Sequence, residues 1–212
     1  SCTFARGYES FFLGVNRRLH YRNQRREVLR FLHSYPRLPQ LDEMVEYAEI
    51  LIFAIPSAFL KEELDKISKD FSDKIIFSAI KGIVPESGLI VGEHFNKNYN
   101  IPIENIGVIT GPCHAEEVAM ERLSYLTIAC KDSKKAKIMS ACLSSNYINT
   151  KISDDIIGTE YAAMLKNIYA IAAGIAHGLG YGDNFQSVLM SNSIREMKRF
   201  IKKMHKMKRN IN

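Results

Sequence analysis

Apolar positions along the chain change their period near residue 152. From residue 41 to that point, short unbroken apolar runs alternate with segments in which apolar residues return every three or four positions, and beyond it only the helical period remains. Leu41, Met44, Val45 and Ala48 fall at i, i+3, i+4 and i+7, predicting a short amphipathic helix. Ile50-Leu51-Ile52-Phe53-Ala54-Ile55 is apolar throughout and stops at Pro56, the pattern of a strand covered on both faces, as in parallel sheets. Ser57 is placed to cap a following helix with Phe59, Leu60, Leu64 and Ile67 on its inner side. Residues 75–80 predict a second buried strand ending in Lys81-Gly82, and residues 106–110 a third ending in Gly111-Pro112. A helical segment over 114–120, a strand over 125–130, and a helix capped by Asp132 with Ala136, Met139, Cys142 and Leu143 complete this part.

Asp154 or Asp155 begins a helix through residues 160–176, so rich in Ala, Leu and Ile that it is apolar on nearly every side, which predicts burial. Gly178-Leu179-Gly180-Tyr181-Gly182 breaks it. Asp183 then caps a long helix with Phe185, Val188, Leu189, Ile194, Met197, Ile201 and Met204 inside. Residues 1–40 are less regular: 11–15 predict a short strand, 23–33 an Arg-rich helix, and Pro36 and Pro39 a loop.

Alternating strands and helices followed by helices alone predict an α/β fold, a doubly wound sheet over residues 1–152 and an all-α part over 153–212. In such sheets ligands bind outside the carboxyl ends of the strands. Three turns would line that rim: Pro56-Ser57-Ala58-Phe59, Lys81-Gly82, and Gly111-Pro112-Cys113-His114-Ala115. Gly111 permits close backbone approach, and the free N–H groups after Pro112 suit an anion. Lys166 and Asn167 stand inside the apolar helix. A lysine stripped of water has its ammonium disfavoured, so its pKa falls towards the range useful for proton transfer at neutral pH.

Composition narrows the classes. Of the net charge of +6, residues 1–40 carry +6 and residues 195–212 carry +7, which leaves −7 on the body between them. The basic ends lack interleaved aromatics or a reading motif, so the charge does not call for a nucleic-acid partner. The longest apolar run, 50–60, is interrupted by Pro56 and Ser57 and falls far short of the roughly 20 residues that cross a bilayer. Cys2, Cys113, Cys130 and Cys142 form no C-x-x-C pair and no metal-ligand spacing, which points to a reducing, cytoplasmic setting without a metal.

Four segments in order resemble one family, the bacterial NAD(P)-dependent glycerol-3-phosphate dehydrogenases. They are Ile55-Pro56-Ser57-Ala58-Phe59-Leu60, Ser78-Ala79-Ile80-Lys81-Gly82, residues 111–119 beginning Gly111-Pro112-Cys113-His114-Ala115, and residues 160–184 with Leu165-Lys166-Asn167 and Gly182-Asp183-Asn184. The resemblance covers roughly residues 41–200. It implies a Rossmann-type domain followed by a helical domain, NAD or NADP as cofactor, and reduction of dihydroxyacetone phosphate to sn-glycerol 3-phosphate, which feeds phospholipid synthesis. By that resemblance Lys166 is the catalytic acid/base, Phe59 and Ala115 touch the dinucleotide, and Lys81 meets both cofactor and substrate. Gly111, Cys113, Lys166 and Asn167 match substrate contacts, although the family usually has Ser or Thr where Cys113 stands.

The chain departs from that pattern in two places. It holds no G-x-G-x-x-G turn to seat a pyrophosphate, and no Ser-Arg-Asn-Arg-like segment to grip the substrate phosphate. The resemblance therefore implies an incomplete dinucleotide-binding domain and a truncated helical one, with weak or absent turnover. The choice between NAD and NADP stays open, as does oligomeric state, a homodimer included. Two alternatives stand beside this reading: another two-domain 2-hydroxyacid-type dehydrogenase, and a non-catalytic module using its basic ends.

Overall fold

The computed structural model describes residues 41–204 in full and, ahead of them, the backbone of two strands, Cys2–Gly7 (β1) and Ser10–Val15 (β2). The strand expected over 11–15 is thus present, whereas the helix expected over 23–33 lies outside the described residues. The chain continues through α1 (Leu41–Tyr47), β3 (Ile50–Ala54), a 3₁₀ turn at Ser57–Phe59, α2 (Leu60–Leu64) and β4 (Ile75–Ser78). A small hairpin of β5 (Ile83–Val84) and β6 (Leu89–Ile90) leads into α3 (Val91–Asn98), and β7 (Ile106–Thr110) and α4 (Ala115–Ala119) follow. After β8 (Ser124–Cys130), α5 (Ser133–Leu143) and β9 (Ile148–Ser153) come two long helices, α6 (Ile156–Gly178) and α7 (Asp183–Met204).

The large sheet has the order β1-β2-β3-β4-β7-β8-β9. Its centre, β3, β4 and β7, is parallel, as the unbroken apolar runs predict. The flanks are not: β2 runs antiparallel to β3, and β8 antiparallel to β7, with β9 parallel to β8. β9 is a strand that the hydrophobic pattern does not announce, because only Ile148 and Ile152 are apolar in its six residues.

Successive residues of a strand point to opposite faces, and the core divides accordingly. Leu51 and Phe53 of β3 join Ile76, Ile106, Phe95 and the inner residues of α1 and α2 on one face. Ile50 and Ile52 join Phe77, Ile128, Ala136 and Met139 on the other, beneath α5. Val108, two residues beyond Ile106, continues the first face and packs with Ala129 under Ile156, so α6 begins on the sheet. Asp132 caps α5 by accepting from the N–H of Lys134 (2.8 Å) and Lys135 (3.4 Å). Of the two candidates for α6, Asp155 is the cap, accepting from the N–H of Gly158 at 2.9 Å.

Three expectations are corrected. Ser57 makes no cap for the helix that follows it, because the turn passes through a 3₁₀ segment led by Pro56. Phe59 faces outward instead of joining the inner stripe. The larger correction concerns the two long helices. Ile156, Gly158, Glu160, Tyr161, Ala163 and Leu165 of α6 are buried, but after Leu165 only Ala176 is, and Ile168, Ile171, Ile175 and Leu179 form an exposed stripe. Of the apolar residues expected inside α7, only Met197 and Ile201 are buried, and Phe185, Val188, Ile194 and Met204 are exposed. A 23-residue helix is about 35 Å long at the standard rise, and only its first half is buried against the rest of the fold. Its second half therefore meets α7 and solvent.

Candidate active site

Because β3, β4 and β7 are parallel, the turns that leave them share one rim. A Cβ added to Gly82 would stand 3.3 Å from the Ser57 hydroxyl, so the turns after β3 and β4 lie against each other. Gly111 has φ +148°, and a Cβ there would come within 2.2 Å of the Tyr125 carbonyl oxygen. Only glycine lets β7 leave the sheet at this point. The following residue anchors the turn, the Pro112 carbonyl accepting from the Tyr125 N–H at 3.2 Å.

Phe59, Lys81 and Ala115 are exposed on this rim, and Cys113 is half-buried nearby. A cleft of about 670 Å³ opens between the sheet and α6, lined by Thr110, Gly111 and Pro112 on one side and by Thr159, Ala162, Ala163 and Lys166 on the other. The structure thus brings Gly111 and Lys166 to one cavity. Phe59, Lys81, Cys113, Ala115 and Asn167 are not among its lining residues. Lys166 is exposed, which corrects the expectation of a lysine desolvated inside an apolar helix. The apolar surroundings inferred from composition lie on other sides of α6.

Sequence reasoning passed over three features of the site. Thr127 and Lys151 also line the cleft, and Thr110, Thr127 and Lys151 are direct neighbours across β7, β8 and β9. No periodicity within one segment carries that information, because it arises from strand pairing. The third feature is Glu160, only 5% exposed, six residues before Lys166 on α6. Both of its carboxyl oxygens accept from the Gly92 N–H, at 3.2 and 3.1 Å, and the Val91 backbone also donates to it at the start of α3. Burial raises its pKa to about 8, the two backbone donors oppose the rise, and the nearby Glu93 adds to it. Glu160 thereby ties the helix that carries Lys166 to the helix that flanks β7. A glutamate among apolar residues two positions after Gly158 was the available signal.

Among the described residues no group of His, Cys, Asp and Glu is placed to hold a metal ion, and no helix is long and apolar enough to cross a membrane. Cys113, Cys130 and Cys142 are unbridged, and burial pushes the Cys130 thiol upward.

A parallel central sheet covered on both faces, with loops at its carboxyl rim and a lysine-bearing helix laid across one end, defines an α/β protein with a Rossmann-like core. Family models narrow the class. The NAD-dependent glycerol-3-phosphate dehydrogenase N-terminus matches residues 28–136, and the C-terminus of the same family matches residues 155–212. The chain belongs to the NAD-dependent glycerol-3-phosphate dehydrogenase family. A glycerol-3-phosphate dehydrogenase [NAD(P)+] of Listeria innocua is 36% identical over 161 residues, covering 75% of this chain and 48% of the relative. That of Macrococcus caseolyticus is 32% identical, covering 81% and 52%. The chain therefore spans about half the length of the curated relatives it matches. Among solved structures, glycerol-3-phosphate dehydrogenase of Plasmodium falciparum superposes with a TM-score of 0.72 at 25% identity, covering 81% of this chain and 48% of that one. The enzyme of Coxiella burnetii gives 0.67 at 26%, covering 78% and 50%.

Proposed function

We propose that this chain carries the proton-transfer half of an NAD(P)-dependent glycerol-3-phosphate dehydrogenase site, interconverting dihydroxyacetone phosphate and sn-glycerol 3-phosphate. The observation that carries the reading is that Lys166 lines one cleft with the Thr110-Gly111-Pro112 turn at the carboxyl end of β7. NADH or NADPH, when bound, supplies the hydride that reduces the ketone carbon. The rim suits a dinucleotide: Phe59 offers an exposed ring face, and the turns bearing Lys81 and Gly111 keep side chains away from the backbone. In this reading Phe59, Lys81 and Ala115 hold the cofactor, and Lys81, Gly111, Cys113 and Asn167 help to seat the substrate.

Lys166 then acts on the oxygen. Its ammonium donates a hydrogen bond to the ketone, stabilises the negative charge that grows there as hydride arrives, and transfers its proton to give the alcohol. A substrate filling the cleft displaces water from the exposed amine, so the desolvation that favours proton transfer comes with binding. Residues 1–152 form the dinucleotide-binding part and 153–212 the part that carries the lysine. The product would serve phospholipid synthesis in a reducing cytoplasm, where the three described cysteines stay thiols.

The reading extends to a homodimer formed by two copies through the exposed apolar side chains of α6 and α7. Monomeric proteins rarely leave so many large apolar residues in water. A stable interface takes roughly 800 Å² per partner. Turnover by the 212-residue polypeptide is expected to be slow, because its sequence holds no glycine-rich pyrophosphate turn. The test follows oxidation of NADH and NADPH with dihydroxyacetone phosphate or with unphosphorylated 2-keto acids. Preference for the keto acids would replace this reading by another dehydrogenase specificity. An ordinary rate, roughly 1–1000 per second, would sink the expectation of slowness.

A further inference from the structure

The first half of α6 is held largely by apolar contacts: Ile156 packs on Val108 and Ala129 of the sheet, and Tyr161 on Ile90 and Ile201. Contacts of that kind hold a helix down without fixing how it is turned, because cores accept more than one apolar packing at similar cost. Glu160 is different in kind. Only 5% exposed, it directs its carboxyl at the start of α3, where both oxygens accept from the Gly92 N–H at 3.2 and 3.1 Å and the Val91 backbone donates as well.

Both sides of this contact are shaped for it. The first backbone N–H groups of a helix have no partner within it, and Ile90, at the capping position of α3, makes no side-chain hydrogen bond to them. Glu160 supplies the acceptor from 68 positions away. Opposite it, Gly92 leaves the room: a Cβ there would stand 2.9 Å from Glu160 Oε2. Burial and the nearby Glu93 favour the protonated acid, whose oxygens still accept.

Glu160 and Lys166 lie six residues apart on one helix, about 240° around its axis and about 9 Å along it, so the setting of one fixes the setting of the other. Turning α6 by one residue, about 100°, would carry the carboxyl away from both donors and Lys166 away from the Thr110-Gly111-Pro112 wall of the cleft. Resting on the function proposed above, we propose that Glu160 is a positioning residue: its bond to the start of α3 sets the rotation of α6 and so aims Lys166 at the reacting carbonyl. Selecting one register among apolar alternatives is the best-attested use of a buried polar group. Glu160 does not line the cleft, so its effect reaches the substrate through Lys166.

The test compares the 212-residue chain with Glu160→Leu, Glu160→Gln and Gly92→Ala by two readouts. One is the NMR signal of the Lys166 amine after isotopic reductive methylation, identified by its loss in Lys166→Met. The other is steady-state kinetics with dihydroxyacetone phosphate and NADH. Glu160→Leu fills similar space without an acceptor. It should displace the Lys166 signal and lower kcat about tenfold or more, the scale of a misplaced catalytic group, while KM for NADH stays within about twofold. Glu160→Gln keeps an acceptor and should restore both. A role confined to stability would lower the melting temperature of Glu160→Leu and leave the signal and kcat in place, and that result overturns the proposal. So does a Glu160→Gln chain that behaves like Glu160→Leu. If Glu160→Leu does not fold, Gly92→Ala decides: alanine suits a helix, but its Cβ pushes the carboxyl aside, and an unmoved Lys166 signal there overturns the proposal. If the wild type turns over no substrate, the function falls, and the Lys166 signal of the free chain still decides how α6 is held.

Discussion

Replacing Glu160 by glutamine tests how the lysine-bearing helix is fastened to the sheet. In the native chain the Glu160 carboxyl is buried at the start of α3 and accepts from the Gly92 N–H through both oxygens. Its pKa stands near 8, against an ordinary value of 4.5. Between those two pH values the native state holds the proton and the unfolded state has released it. The stability linked to this group is therefore fully present below about pH 4.5 and is lost as pH rises towards 8. The slope is about 1.4 kcal/mol per pH unit, so several kcal/mol are at stake between pH 5 and pH 8. The amide of the Glu160→Gln variant keeps an acceptor for the Gly92 N–H and cannot titrate. Urea unfolding of both proteins at unit steps from pH 5 to 8, followed by circular dichroism, isolates Glu160 as the difference between them, since other titrating groups cancel. The wild type should lose its advantage steadily with pH, and Glu160→Gln should be at least as stable at pH 8. A difference constant to within about 0.5 kcal/mol over the range would refute the reasoning.

Three other outcomes are expected. Gly111→Ala forces a Cβ to within 2.2 Å of the Tyr125 carbonyl at a φ of +148°, and should destabilise the chain by about 3 kcal/mol or more in the same unfolding assay. Lys166→Met should lower turnover of dihydroxyacetone phosphate by about 10²- to 10⁴-fold at unchanged melting temperature, because the side chain is exposed; residual activity near wild type would remove the lysine from the reaction. Light scattering should give twice the monomer mass, and the double substitution Ile171→Lys, Ile175→Lys on the exposed stripe of α6 should return it to the monomer, whereas a wild-type monomer would exclude the second copy as the partner of that face.

Much of the sheet is legible in the sequence because each central strand is a continuous apolar run, and a run of that kind needs cover on both faces. The rim turns are legible for a related reason, since Gly111 and Pro56 are residues that stop strands. Burial of the two long helices is not. The Ala, Leu and Ile of α6 look alike in the sequence, yet Leu165 is buried and Ile168, Ile171 and Ile175 are exposed, since burial depends on which part of the helix docks on the rest of the fold.

By itself, then, the sequence determined the parallel core of β3, β4 and β7, the cap at Asp132, and the family to which Lys166 belongs. Those properties are written in neighbouring residues and their period. Only the tertiary structure decided that Thr110, Thr127 and Lys151 share a row, that Glu160 reaches Gly92 across 68 positions, and that Lys166 meets solvent in a cleft. Strand pairing and helix docking bring together residues far apart in the chain, and no local pattern records which partners they will find.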